Sequence, residues 1–175
     1  MKTLIAVPCM DQVAAPFAQN LAAMQKDGEC YISFLIGSLI YESRNNFAKQ
    51  AIATKADYVL WLDSDMVFPE TIVEDFLEDG KDMICAVFHS RRPPYVSAIF
   101  SNLHPGERYE EYPIDVFKVA ACGFACVFMT VDVLRQVCFG NDGMMFLPMA
   151  AYGEDLAFCE RCRILGIQIW CDGAI

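Results

Sequence analysis

Residues 56–69 read Ala56-Asp-Tyr-Val-Leu-Trp-Leu-Asp63-Ser64-Asp65-Met-Val-Phe-Pro69, and the placement of the rest of the chain follows from them. An apolar run of strand length, rich in aromatic and branched side chains, stops at two carboxylates separated by one serine. Side chains alternate along an extended segment, so Asp63 and Asp65 share a face while Ser64 points elsewhere. Two acids at the tip of a buried strand repel each other unless a cation neutralises them, and converging carboxylates suit a hard divalent ion. The same tripeptide can also cap a helix that starts near Pro69, and by itself it leaves both readings open.

The pattern on either side is βα. Residues 2–7 form a short apolar strand that Pro8 ends, because proline donates nothing to a ladder. Val13, Phe17, Leu21 and Met24 follow at helical spacing, with Asp27-Gly28 as a stop. Residues 31–36 are a second strand, and a polar stretch leads into a helix whose inner face carries Phe47, Ala48, Ala51 and Ile52. After Asp65 a helix over 69–77 and a strand over 82–88 continue the alternation. Such alternation predicts right-handed crossovers and a mostly parallel sheet, with ligands bound beyond the carboxyl ends of its strands. The second half changes character. Residues 116–129 read as one long strand, an antiparallel or mixed addition to the sheet, in which Gly123 marks a bulge or a close approach. Gly140-Asn-Asp-Gly143 reads as a turn, and Met and Phe between 139 and 149 suggest an exposed apolar surface. Gly153-Glu154-Asp155 opens the last helix, which Gly166 stops.

Composition excludes several classes. A length of 175 residues suits one domain, and 55% hydrophobic content excludes a disordered chain. A net charge of -10, with Arg91-Arg92 as the only adjacent basic pair, argues against nucleic-acid binding. Neither a GxGxxG nor a P-loop is present to hold phosphate. Nine cysteines without a secretory leader predict free thiols in a soluble, cytoplasmic protein, and the longest uncharged run, 119–131, is too short to span a bilayer.

Ser43-Arg44-Asn45 at a helix start, the Asp63-Ser64-Asp65 strand end, and Gly153-Glu154-Asp155 about ninety residues on occur together in the order seen in one family. On these residues the chain resembles the GT-A fold glycosyltransferases, closest to the family 2-like members of bacteria and their phages, with DxD and ED motifs. The resemblance implies a Rossmann-like α/β fold with helices on both faces of the sheet. It implies a single domain over 1–175, with residues 1–92 as the nucleotide-binding half and 93–175 as the acceptor half. It further implies a metal-dependent sugar transfer from a nucleotide-diphosphate donor to a saccharide, lipid or protein acceptor. Asp65 and Asp63 would hold Mn²⁺ or Mg²⁺. Pro8, Asp11, Arg44, Asn45, Ser64 and Gly153 would contact the donor. Asp155 would be the base, flanked by Glu154, and inversion would follow. In many relatives a histidine beyond the last strand completes the metal site, whereas this sequence offers only His89 and His104, leaving that ligand to water, phosphate or another side chain. Two alternatives stand beside this reading. One is a haloacid-dehalogenase-like phosphohydrolase using Asp63 and Asp65, whose motif would then sit unusually on a third strand. The other is a non-catalytic relative that binds nucleotide sugars.

Overall fold

A computed structural model describes residues 1–26, 28–37, 39–139 and 143–175. Asp27 of the expected helix stop and residues 140–142 of the expected turn lie outside the described residues. In chain order the elements are β1 (Lys2–Cys9), α1 (Ala15–Ala23), β2 (Glu29–Ile36), α2 (Ile40–Ala53), β3 (Tyr58–Leu62), α3 (Ile72–Asp79) and β4 (Met83–Ala86). Then come β5 (Ile99–Asn102), β6 (Glu107–Arg108), β7 (Val116–Val119), β8 (Ala121–Cys122) and β9 (Cys126–Thr130). α4 (Val131–Phe139), α5 (Glu154–Ile164) and β10 (Ile169–Asp172) complete the order.

β3 is buried on both faces, which is why its sequence is an unbroken apolar run rather than an alternating one. Val59 and Trp61 enter one apolar cluster with Phe47 and Ala48 of α2, Leu134 of α4 and Phe158 of α5. Leu60 and Leu62 enter the other, with Phe17 of α1 and Phe76 of α3. Trp61, only 1% exposed, meets Phe47, Phe124 and Phe146 at ring-centroid distances of 6.3, 5.9 and 5.1 Å. Burying such side chains stabilises by about 1.5–3 kcal/mol each, and this anchors the strand whose tip carries Asp63.

The mostly parallel Rossmann-like sheet expected from the alternation is not what forms. The large sheet has the order β2-β1-β3-β9-β4-β10-β7, and a small one the order β6-β5-β8. β1 pairs parallel with β2 and β3, and β4 with β10, but β9 runs antiparallel between β3 and β4, and β7 antiparallel beside β10. Both ladders of the small sheet are antiparallel as well, so antiparallel pairings outnumber parallel ones among the described residues. The physical reason is that periodicity reports which residues form a strand and not which slot the strand fills. Cys126–Thr130 is almost wholly buried, as a central strand must be, and the late segment is inserted in the middle of the sheet rather than added at its edge.

The single long strand expected over 116–129 is also corrected. It is divided into β7 on the edge of the large sheet, β8 in the small sheet and β9 in the centre of the large one. Gly123 sits at the crossing between β8 and β9, where an added Cβ would lie 2.9 Å from Cζ of Phe88. Pro8 does not end β1, which continues to Cys9. The β1–β3 register stops at Ala6 opposite Trp61, and Cys9 accepts from Gly37 on the β2 side. The N–H missing at Pro8 therefore faces a side where no partner strand remains. The apolar surface expected between 139 and 149 is overturned in part, since Met145 and Phe146 are fully buried in the core while Phe139 is 97% exposed. None of the nine cysteines, all of them among the described residues, is in a disulfide.

Candidate functional site

The C-terminal ends of β1 and β3, the start of α2, the Gly123–Ala125 crossing and the first turn of α5 surround one cavity of about 740 Å³. Pro8, Arg44, Asp63, Ser64, Glu154 and Asp155 all line it. Each arrives there for a local reason. Asp63 follows directly on the buried β3, and its N–H donates to the carbonyl of Ala125 at 2.9 Å, which holds the turn against the crossing segment. Glu154 and Asp155 occupy the first turn of α5, where acidic side chains meet the positive end of the helix dipole. The Leu156 N–H donates to Asp155 Oδ1 at 2.7 Å. Gly153 is the N-cap of α5, and a Cβ there would lie 3.2 Å from Asp155 Oδ1.

Arg44 is the hub. It is 4% exposed, and its Nη1 donates to Glu154 Oε1 at 2.6 Å. Nη2 lies 3.5 Å from both Asp63 Oδ1 and the Phe124 carbonyl, and the guanidinium stands 5.2 Å from the Phe124 ring centroid. A guanidinium committed to two carboxylates ties the tip of β3 to the first turn of α5. Asp63 keeps 27% of its side chain exposed. Burial nevertheless raises its pKa above the ordinary carboxylate value, Arg44 and Arg91 pull it down, and Asp65 and Glu154 push it up.

Other expected site residues stand apart from the cavity wall. Asp65 forms an ion pair with Arg91, Nε to Oδ2 at 2.5 Å, and is 32% exposed. Asp11 is an exposed residue beyond β1. Asn45 is buried and used internally, donating to the Tyr41 carbonyl at 2.8 Å and accepting from the Phe146 N–H at 3.0 Å. It thereby pins the Met145–Phe146 segment over α2. Sequence reasoning did not place Phe88, Ala98, Phe124 or Ala125 on the wall, although Gly123 had signalled a close approach there. It also did not anticipate that both acids of the Asp63-Ser64-Asp65 stretch face guanidinium groups. His89 lines a different cavity, and His104 lies 3.3 Å from Glu160 and 2.7 Å from the Tyr152 hydroxyl. Among the described residues no group of three or more His, Cys, Asp or Glu side chains is arranged to hold a metal ion. The donor chemistry of Asp63 and Asp65 is all hard oxygen, which suits Mg²⁺ or Mn²⁺. The exposed Arg91, 75% accessible, is the group that such an ion would displace from Asp65.

The fold is that of a known structure. The crystal structure of A197 from STIV superposes with a TM-score of 0.72 at 19% sequence identity, covering 99% of this chain and 83% of that one. The Anp1 family model matches residues 37–98, less than half of the chain, and suggests a glycosyltransferase-like protein. No curated protein matches. The resemblance to family 2-like glycosyltransferases is thereby corrected, because the family model that matches is Anp1 and neither match shows a DxD motif. Short acidic motifs at a strand end and a helix N-terminus recur wherever those elements face one another, so they report local geometry rather than family. Among the described residues no helix is long and apolar enough to cross a membrane.

Proposed function

We propose that the protein transfers a sugar from a nucleotide-diphosphate donor to an acceptor hydroxyl in the cavity beyond β1 and β3. The observation that carries this reading is the convergence of Asp63, Arg44, Glu154 and Asp155 on one cavity of about 740 Å³ at the carboxyl ends of parallel strands. In this reading the nucleoside lies against Pro8 and Cys9 at the end of β1, and the exposed Arg91 turns toward the diphosphate. Asp155 accepts the proton of the acceptor hydroxyl. The oxygen then forms a bond to the anomeric carbon as the bond from that carbon to phosphate breaks, and the electron pair leaves with the nucleoside diphosphate. In-line attack inverts the anomeric centre. Glu154, already paired with Arg44, keeps the α5 turn in place rather than taking the proton.

Asp63 and Asp65 are the residues that would hold Mn²⁺ or Mg²⁺, and such an ion would act as a Lewis acid on the departing diphosphate. The Arg91–Asp65 ion pair favours a second reading, in which transfer needs no metal and Arg91 alone meets the diphosphate charge. Calorimetry with UDP, GDP and CDP, each with and without Mn²⁺, tests both on wild type and Asp65→Ala. One nucleotide binds, and under the first reading Asp65→Ala weakens it about tenfold only when Mn²⁺ is present. Binding indifferent to Mn²⁺ and lost in Arg91→Ala selects the second. If no nucleotide binds under any condition, the proposal is abandoned.

A further inference from the structure

A second cavity, of about 440 Å³, opens beside the first, within the range of about 300–1,000 Å³ usual for small-molecule sites. Neighbouring residues around one β-bridge line the two. His89 and Ser97 are the bridged pair and line the second cavity, while their neighbours Phe88 and Ala98 line the first. Tyr95, Arg108, Tyr109 and Glu110 supply most of the remaining wall.

The wall is built in part and open in part. Ser97 Oγ donates to the Tyr109 carbonyl, and Arg108 Nη1 donates to the Ser97 carbonyl at 2.7 Å. Arg108 also lies over the Phe100 ring at 4.8 Å, and the Tyr109 hydroxyl donates to the Lys118 carbonyl at 3.2 Å. These contacts hold Ser97, Arg108 and Tyr109 in place. The His89 imidazole, the Tyr95 hydroxyl and the Glu110 carboxylate have no side-chain hydrogen bond among the described residues, and the Tyr95 ring is 67% exposed.

An imidazole, a phenol and a carboxylate together offer both donors and acceptors, and the tyrosine ring offers an apolar face at small cost in side-chain entropy. That combination matches a ring that carries hydroxyls on its rim and C–H bonds on its face. It suits phosphate less well, since Glu110 would repel an anion and Arg108 commits Nη1 to the Ser97 carbonyl, in a chain whose net charge is -10.

We infer that the cavity between His89, Tyr95, Arg108 and Glu110 is a saccharide-binding subsite, which receives a neutral sugar ring of the acceptor next to the transfer cavity. The assignment to an acceptor rests on the glycosyl-transfer reading above. Binding of the sugar ring itself does not.

The test is saturation-transfer NMR on the whole chain with the methyl glycosides of glucose, galactose, mannose and N-acetylglucosamine, with inorganic phosphate as the competing probe. At least one glycoside binds, with a dissociation constant on the order of 1–10 mM. Tyr95→Ala and Glu110→Gln weaken it at least roughly fivefold. Asp63→Asn, in the neighbouring cavity, leaves it unchanged. Tyr95 and Glu110 are exposed, so both variants should fold, and thermal melts on the same samples check this. No binding of any glycoside, binding indifferent to both substitutions, loss in Asp63→Asn, or displacement by phosphate would each overturn the inference. Nucleotide calorimetry on the same variants separates the two ideas. Glycoside binding without nucleotide binding sinks the transfer reading and spares the subsite, and the converse result spares the transfer reading alone.

Discussion

Arg44 Nη1 and Glu154 Oε1 meet at 2.6 Å across 110 residues of sequence, with the arginine almost wholly buried. The pair joins the start of α2 to the first turn of α5, and through Asp63, 3.5 Å from Nη2, it also reaches the tip of β3. The candidate site is therefore a structural junction as well as a cavity.

Removing the guanidinium leaves Asp63 and Glu154 facing each other without compensation in a partly dry environment. Arg44→Ala should destabilise by about 3–5 kcal/mol, as other broken buried ion pairs do, a fall in Tm of roughly 10 °C. Glu154→Gln keeps an acceptor for Nη1 and should lose less than half as much. Urea melts of both variants measure the difference, and an unchanged midpoint in Arg44→Ala would show that the pair does not hold the junction.

Burial raises the Asp63 pKa, so the folded state disfavours its ionised form. The resulting penalty is complete above the folded pKa and fades as the pH falls through it toward the unfolded value, 3.8. Asp63→Asn should therefore be more stable than wild type at pH 7, by roughly 1–3 °C in Tm. The gap should close as the pH is lowered through the folded pKa, while nucleotide affinity falls. Melts across pH 4 to 8 would read it out (range about that of carboxylate titration), and a variant less stable at pH 7 would mean that the Arg44 pairing outweighs desolvation.

Asp155 lines the cavity beyond β1 and β3 and, unlike Glu154, has no guanidinium partner among the described residues. Asp155→Asn should lower sugar transfer by about 10²–10⁴-fold, the range of a lost general base. Nucleotide affinity should stay within about twofold of wild type. A radiolabelled-donor assay beside calorimetry checks both, and unchanged transfer would remove Asp155 from the chemistry.

Gly123 is needed for space. A Cβ there would stand 2.9 Å from Cζ and 3.3 Å from Cε2 of Phe88, a side chain that lines the cavity beyond β1 and β3. Gly123→Ala should destabilise by about 1–3 kcal/mol, as overpacking does. Adding Phe88→Leu should recover part of that loss, and a double-mutant cycle gives the coupling between the two positions.

The local chemistry was legible in the sequence. The apolar run at 58–62, the acids at its end, the Gly-Glu-Asp opening of the last helix and the glycine at the 123 crossing could all be read from residue type and spacing, because hydrophobic period and helix-start signals are properties of a few neighbouring residues. What tertiary structure decided was who meets whom. Insertion of β9 between β3 and β4 makes the sheet mixed, and it carries Phe124 and Ala125 to the cavity wall. The folded chain also assigns Arg44 to Glu154 and Asp63, Arg91 to Asp65, and Asn45 to the Phe146 backbone, although the resemblance had implied ligands for Arg44, Asp65 and Asn45. Strand slots and partners of buried charges depend on contacts between residues far apart in the chain, where desolvation forces each ionised group to find a counterpart. No local pattern encodes which counterpart that will be.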